Sequence, residues 1–163
     1  MKTLLIVVHS RTGGTQAMAE AAARGASDEP DVAVRLLRAE DARAEDVLAA
    51  GGYIFATPEN LASMAGRMKD FFDRTYYPVL DQVNGRPYAA LICAGSDGTN
   101  AARQLARIVT GWRLRAVAEP LIVRVNAQTP EAILAPKRID PAELNRCFDL
   151  GAAMAGGLAA GIF

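Results

Sequence analysis

The chain has 163 residues, 51% of them apolar, with 18 basic residues against 18 acidic ones, one histidine and two cysteines. Single cores are commonest between roughly 100 and 200 residues, so one domain over residues 1–163 is expected. A formal net charge of zero leaves no field favouring nucleic acid or an anionic membrane.

After Met1-Lys2, apolar-dominated residues run only to Val8, too short for a signal core or a membrane span, and a cytoplasmic protein is expected. That run, Thr3 to Val8, carries no charge, as a strand buried on both faces should. It leads into Ser10-Arg11-Thr12-Gly13-Gly14-Thr15, and a helical pattern follows at once from Thr15 to Ala26. The first N–H groups of a helix lack partners and, with the positive end of its dipole, form an anion site. Gly13 and Gly14 let the backbone approach a bulky anion, and the hydroxyls of Ser10, Thr12 and Thr15 can donate to its oxygens. Capping alone needs one hydroxyl, so a bound anion is the better account. Arg11 either reaches that anion or faces water. His9, at the strand end, is assigned a structural hydrogen bond ahead of proton transfer.

Which anion follows from what is missing. No lysine follows Gly14, so the nucleoside-triphosphate loop G-x-x-x-x-G-K-[ST] is absent, and so is the dinucleotide fingerprint G-x-G-x-x-G. A receiver domain would need clustered aspartates where Val7-Val8-His9 stands. A terminal monophosphate remains.

The pattern then alternates: a strand Val32 to Arg38 and a helix Ala44 to Ala50; a strand Gly52 to Ala56 and a helix near Met64 to Arg74; a strand Tyr88 to Ala94 and a helix near Thr99 to Thr110; a strand Ala116 to Val125 and a helix near Pro141 to Ala160. Five βα units predict a parallel sheet covered on both faces. "VAVRLLR" and "LIVRV" each carry an arginine, which marks strands 2 and 5 as edges. The simplest order is 2-1-3-4-5, with its switch point, and hence a ligand, against the loops after strands 1 and 3. Met64, Met68, Phe71 and Phe72 fall at helical spacing and belong to the core. Cys93 and Cys147 have no close Cys or His neighbour and are read as reduced and buried, with no metal site. Asn126 to Asp140 reads as a surface connection or an oligomer arm. The tail "LGAAMAGGLAAGIF" is so rich in Gly and Ala that it must pack closely on the sheet or on a second subunit.

Three loops resemble those of the flavodoxin-like family. Ser10 to Thr15 is similar to the S/T-x-T-G-x-T loop that wraps the phosphate of FMN there. Ala56 to Asp73, "ATPENLASMAGRMKDFFD", resembles a segment of the flavodoxin-like NAD(P)H:quinone oxidoreductases and FMN reductases, in which Thr-Pro precedes three flavin-contacting residues. Ala94 to Gly98 lies where the family sets backbone against the edge of the isoalloxazine. The resemblance runs from Met1 to about Val125. It implies a flavodoxin-like three-layer α/β/α sandwich around a five-stranded parallel sheet, with FMN held by Ser10, Arg11, Thr12, Gly13, Gly14, Thr15, Thr57, Pro58, Glu59, Asn60, Leu61, Ala94, Gly95, Ser96, Asp97 and Gly98. Glu59 and Asp97 either bond the pyrimidine half of the ring or face water. The flavin carries the redox chemistry, so no catalytic side chain is expected.

Neither Thr57 to Ser63 nor Ala94 to Asn100 contains an aromatic residue, whereas electron carriers of that family sandwich the ring between aromatics and dock through acidic surfaces. An uncovered ring face suits an enzyme that takes electrons from NADH or NADPH and passes them to a quinone or similar small acceptor. An electron carrier without turnover and a flavin-binding regulatory subunit are the alternatives. A homo-oligomer, dimer or tetramer, is expected, with Tyr76 and Tyr77 placed to complete a pocket across its interface.

Overall fold

The computed structural model describes residues 1–163. Its strands are β1 (Lys2–Val8), β2 (Val32–Arg38), β3 (Gly52–Asn60), β4 (Ser63–Met64), β5 (Pro87–Ala94), β6 (Arg115–Ala116) and β7 (Leu121–Arg124). Its helices are α1 (Gly14–Ser27), α2 (Ala44–Ala49), α3 (Gly66–Val79), α4 (Thr99–Gly111), α5 (Pro130–Leu134) and α6 (Pro141–Ala160).

The strands pair in parallel in the order β2-β1-β3-β5. β6 then pairs with the start of β5, Tyr88 opposite Ala116, and β7 with its end, from Leu91 opposite Leu121 to Ala94 opposite Arg124. The run from Ala116 to Val125 is therefore one edge strand in two pieces. It is interrupted around Pro120, which has no N–H to give to a ladder. The expected order 2-1-3-4-5 holds, with the arginine-bearing runs at the edges.

Side chains alternate across the sheet and feed two cores. From β1, Leu4, Ile6 and Val8 point to the layer of α1 and α6, and Leu5 and Val7 to the layer of α2, α3 and α4. The second layer holds the aromatic residues: Phe55 lies 5.2 Å from Phe72 between ring centroids, and Phe72 meets the fully buried Trp112 edge-on at 5.6 Å. The first layer is built from small residues, so helices can approach closely. A Cβ on Gly151 of α6 would lie 2.6 Å from the carbonyl carbon of Ala22 in α1, and one on Gly25 of α1 would lie 2.8 Å from that of Phe148. The Gly/Ala-rich tail thus packs within the chain, on α1 and the sheet. Tyr76 stacks on Trp112, whose Nε1–H donates to the Tyr76 carbonyl at 3.0 Å, so only Tyr77, 79% exposed, stays available to a second subunit.

Two expectations about local structure are corrected. Thr57 to Asn60, expected in a loop, is the end of β3, which turns back through Leu61 and Ala62 so that Glu59 pairs with Met64 and Asn60 with Ser63. Pro58, opposite Cys93 of β5, lies past the end of β1, whose last pair is Val8 with Ala56, so no strand on that side needs its missing N–H. The hairpin takes Met64 out of the following helix, which starts at Gly66. The segment 126–140 is no plain connection: Thr129 caps α5, accepting from the Ala132 N–H at 3.2 Å, with Pro130 in the first turn.

No helix is long and apolar enough to cross a membrane. Both cysteines are free and buried, and burial pushes the Cys147 thiol up to about 11.

Candidate functional site

At the C-terminal ends of β1 and β3 the chain leaves the sheet in opposite directions: α1 covers one face, and the hairpin and α3 the other. This reversal opens a crevice in a parallel sheet. It is a cleft of about 370 Å³, within the ~300–1,000 Å³ range of small-molecule sites.

The loop from Ser10 to Thr15 forms its floor. Gly13 adopts φ 96° to turn into α1, a conformation that glycine reaches without steric strain. Its N–H donates to Ser10 Oγ at 3.1 Å, and no side chain caps the helix. The N–H groups of Arg11, Thr12, Gly14, Thr15 and Gln16 meet no acceptor in the protein, and the first turn of α1 has no acidic residue. Five free donors at a positive helix end make an anion cradle. A Cβ on Gly14 would stand 2.8 Å from Cys93 Sγ and 3.1 Å from Lys137 Cβ, so no larger residue fits without rearrangement. Burial pushes the Cys93 thiol up, with Lys137 and Thr15 pulling the other way. His9 stands outside the lining: its N–H donates to the Ala56 carbonyl at 3.0 Å, and burial lowers its pKa, Glu40 opposing and Arg67 adding.

The hairpin and the loop after β5 form the walls, and they are braced on each other. Thr57, fully buried, accepts from the Ala65 N–H at 3.1 Å and donates to the Pro58 carbonyl at 3.0 Å. The Glu59 carboxylate accepts from the N–H of Gly98 at 2.9 Å and of Ala101 at 3.3 Å, so it caps α4 from across the cleft wall. Neither role expected for Glu59 describes this: the carboxylate is spent on a helix N-terminus. Asp97 accepts from the Thr99 hydroxyl at 2.8 Å and its N–H at 3.3 Å, bonds that hold its pKa low. Leu61, at the tip of the hairpin with φ 50°, is completely exposed, and Ala62 follows with φ 63°. Two consecutive positive φ values make a type I′ turn without the usual Asn or Gly, a strain of order 1 kcal/mol per residue held at the mouth of the site.

Of the expected residues, Ser10, Arg11, Thr12, Gly14, Thr15, Pro58, Glu59, Asn60, Leu61, Ala94, Gly95 and Ser96 line the cleft. Gly13, Thr57, Asp97 and Gly98 do not; they shape or cap the loops that do. Ala62 and Cys93 line the cleft as well, and the remaining wall, Val125, Ala127, Ile133, Leu134 and Lys137 from the segment after β7, lies outside the expected set. Asn126, at φ 54°, turns that segment back over the site, the Ala127 N–H donates to the Gly95 carbonyl at 3.1 Å, and the Lys137 N–H donates to the Thr12 carbonyl at 2.7 Å. Thr129-Pro130-Glu131 was its one legible signal, a short helix start. None of the lining residues is aromatic.

A family model described as NADPH-dependent FMN reductase matches residues 41–128. A flavodoxin of Aquifex aeolicus is 34% identical over 98 residues, covering 60% of this chain and 53% of that one. An NAD(P)H dehydrogenase (quinone) of Acidithiobacillus ferrooxidans is 30% identical over 95 residues, covering 46% and 48%. The chain spans about half the length of these curated relatives. A solved flavodoxin from the domain Archaea superposes with a TM-score of 0.76 over 97% of this chain and 99% of that one at 22% identity, a likeness of fold.

Proposed function

The chain belongs to the NADPH-dependent FMN reductase family, and we propose that residues 1–163 form one FMN-binding domain that passes electrons from NADH or NADPH to a quinone or similar small acceptor. The observation that carries this reading is the cradle of five unpartnered N–H groups at the switch point of a flavodoxin-like sheet. The residues fit FMN: a terminal phosphate suits those donors and the hydroxyls of Ser10 and Thr12. A Gly95 Cβ would lie 2.5 Å from the Ala127 carbonyl oxygen, so only a backbone edge faces the cleft there.

When bound, FMN would supply the redox chemistry, exchanging a hydride with the nicotinamide and two electrons with the acceptor, whose second proton would come from water. The chain's own groups do the rest. The N–H groups of Arg11, Thr12, Gly14, Thr15 and Gln16 would hold the phosphate, and Pro58 to Leu61 with Ala94 to Ser96 would flank the ring. Thr57 and Glu59 keep those two walls in register. The absence of aromatic residues from the lining leaves a ring face open to a nicotinamide or a quinone. The Aquifex flavodoxin favours a second reading, an electron carrier without turnover.

Anaerobic mixing of the FMN-loaded protein with NADH or NADPH separates the two. Rapid bleaching of the oxidised flavin band is expected; reduction by dithionite alone would favour the carrier, and failure to bind FMN would overturn both readings.

A further inference from the structure

We propose that Lys137 reads the charge of the ligand's phosphate, so that the site selects a phosphorylated flavin over the unphosphorylated one. The proposal rests on the FMN reading and deepens it.

A phosphate monoester carries about −1.5 to −2 charges at neutral pH, against roughly half a positive charge at a helix N-terminus. The phosphate loop itself offers one cation, Arg11, which is exposed and untethered, so its guanidinium gives up side-chain entropy to settle on a ligand. Lys137 arrives already fixed. Its N–H donates to the Thr12 carbonyl at 2.7 Å, its Cβ stands against Gly14, and Ile139, two residues on, is buried in the core. Its ammonium donates to the carbonyls of Ile133 at 2.8 Å and Ala135 at 2.6 Å. An ammonium has three donors, so one remains, and no carboxylate pairs with it. Lys137 and Cys93 both line the cleft, and the lysine's charge pulls the Cys93 thiol down against burial. A partly buried, pre-positioned, uncompensated cation on the wall of an anion cradle is the missing half of the charge balance.

The test measures dissociation constants for FMN and riboflavin, by flavin fluorescence quenching, in the wild-type chain, Lys137→Met and Lys137→Arg. Lys137→Met is expected to weaken FMN about ten- to a hundredfold, the worth of one charge-assisted hydrogen bond, while riboflavin changes less than about twofold. Lys137→Arg should restore most of the loss. The salt dependence of FMN binding should also become shallower in Lys137→Met. Equal weakening of both flavins would mean that Lys137 only holds α5 in place, and unchanged FMN binding would mean that it does nothing here; either overturns the proposal while leaving the FMN reading intact. A wild-type chain that binds neither flavin sinks that reading. The Lys137 proposal is then decided by inorganic phosphate: shifts of the Thr12, Gly14 and Lys137 amide resonances that vanish in Lys137→Met support it, and their absence overturns it.

Discussion

Gly151 and Gly156 lie on the same helix, share the same intrinsic propensity, and should respond to alanine with opposite signs. A Cβ on Gly151 would stand 2.6 Å from the Ala22 carbonyl carbon, and closer still to its oxygen, where ordinary contact begins at 3.4 Å. The obstacle is α1 backbone and cannot rotate aside, so α1 and α6 must part by about 1 Å along an interface that also carries Gly25 against Phe148. Overpacking of this kind costs about 3 kcal/mol. Alanine recovers about 1 kcal/mol of helix propensity, leaving a net loss of about 2 kcal/mol. Nothing lies within 4 Å of a Cβ on Gly156, so Gly156→Ala should keep the full gain of about 1 kcal/mol. For a chain of this size, Gly151→Ala should melt about 4–8 °C lower than wild type and Gly156→Ala about 2–4 °C higher, with matching shifts of the urea midpoint. A Gly151→Ala variant as stable as wild type would refute the close crossing of α1 and α6. A destabilised Gly156→Ala variant would show that the outer face of α6 is covered, as a second subunit would cover it.

Glu59→Gln should loosen both the hairpin and the first turn of α4, because it removes the charge facing a helix N-terminus and one of two acceptors; a loss of about 1 kcal/mol, read as faster hydrogen exchange at Gly98 and Ala101, is expected. Cys147 sets an alkaline limit. Its thiol is raised by burial to about 11 in the folded chain, so above its ordinary value the unfolded chain gives up its proton first and stability falls between pH 9 and 11. Cys147→Ala should flatten that part of the stability curve in urea titrations at pH 8 and 10.5, with Cys93, also raised, leaving a residual slope.

Much of the fold was written locally. Uncharged strands, arginine-marked edges, and glycines and hydroxyls between Val8 and the first helix are consequences of burial, solvent access and unpaired N–H groups, all of which act over a few residues. That is why the sheet order and the first loop were readable from the sequence. The wall made by residues 125–137 was not, because nothing short-range brings Lys137 to Thr12: the two are joined only once β7 lies beside β5 and Asn126 turns the chain back across the site. The same holds for Glu59. Its residue type suggests solvent or a ligand, yet the register of a hairpin held by Leu61 and Ala62 in strained turn conformations aims the carboxylate at the start of α4, 39 residues further on. The layers and the strand-to-helix turn with its unpartnered N–H groups were legible in the residues alone, since these follow from periodicity and the chemistry of helix ends. Tertiary structure alone decided which distant groups close the cleft, since a contact between remote segments depends on the packing of everything between them.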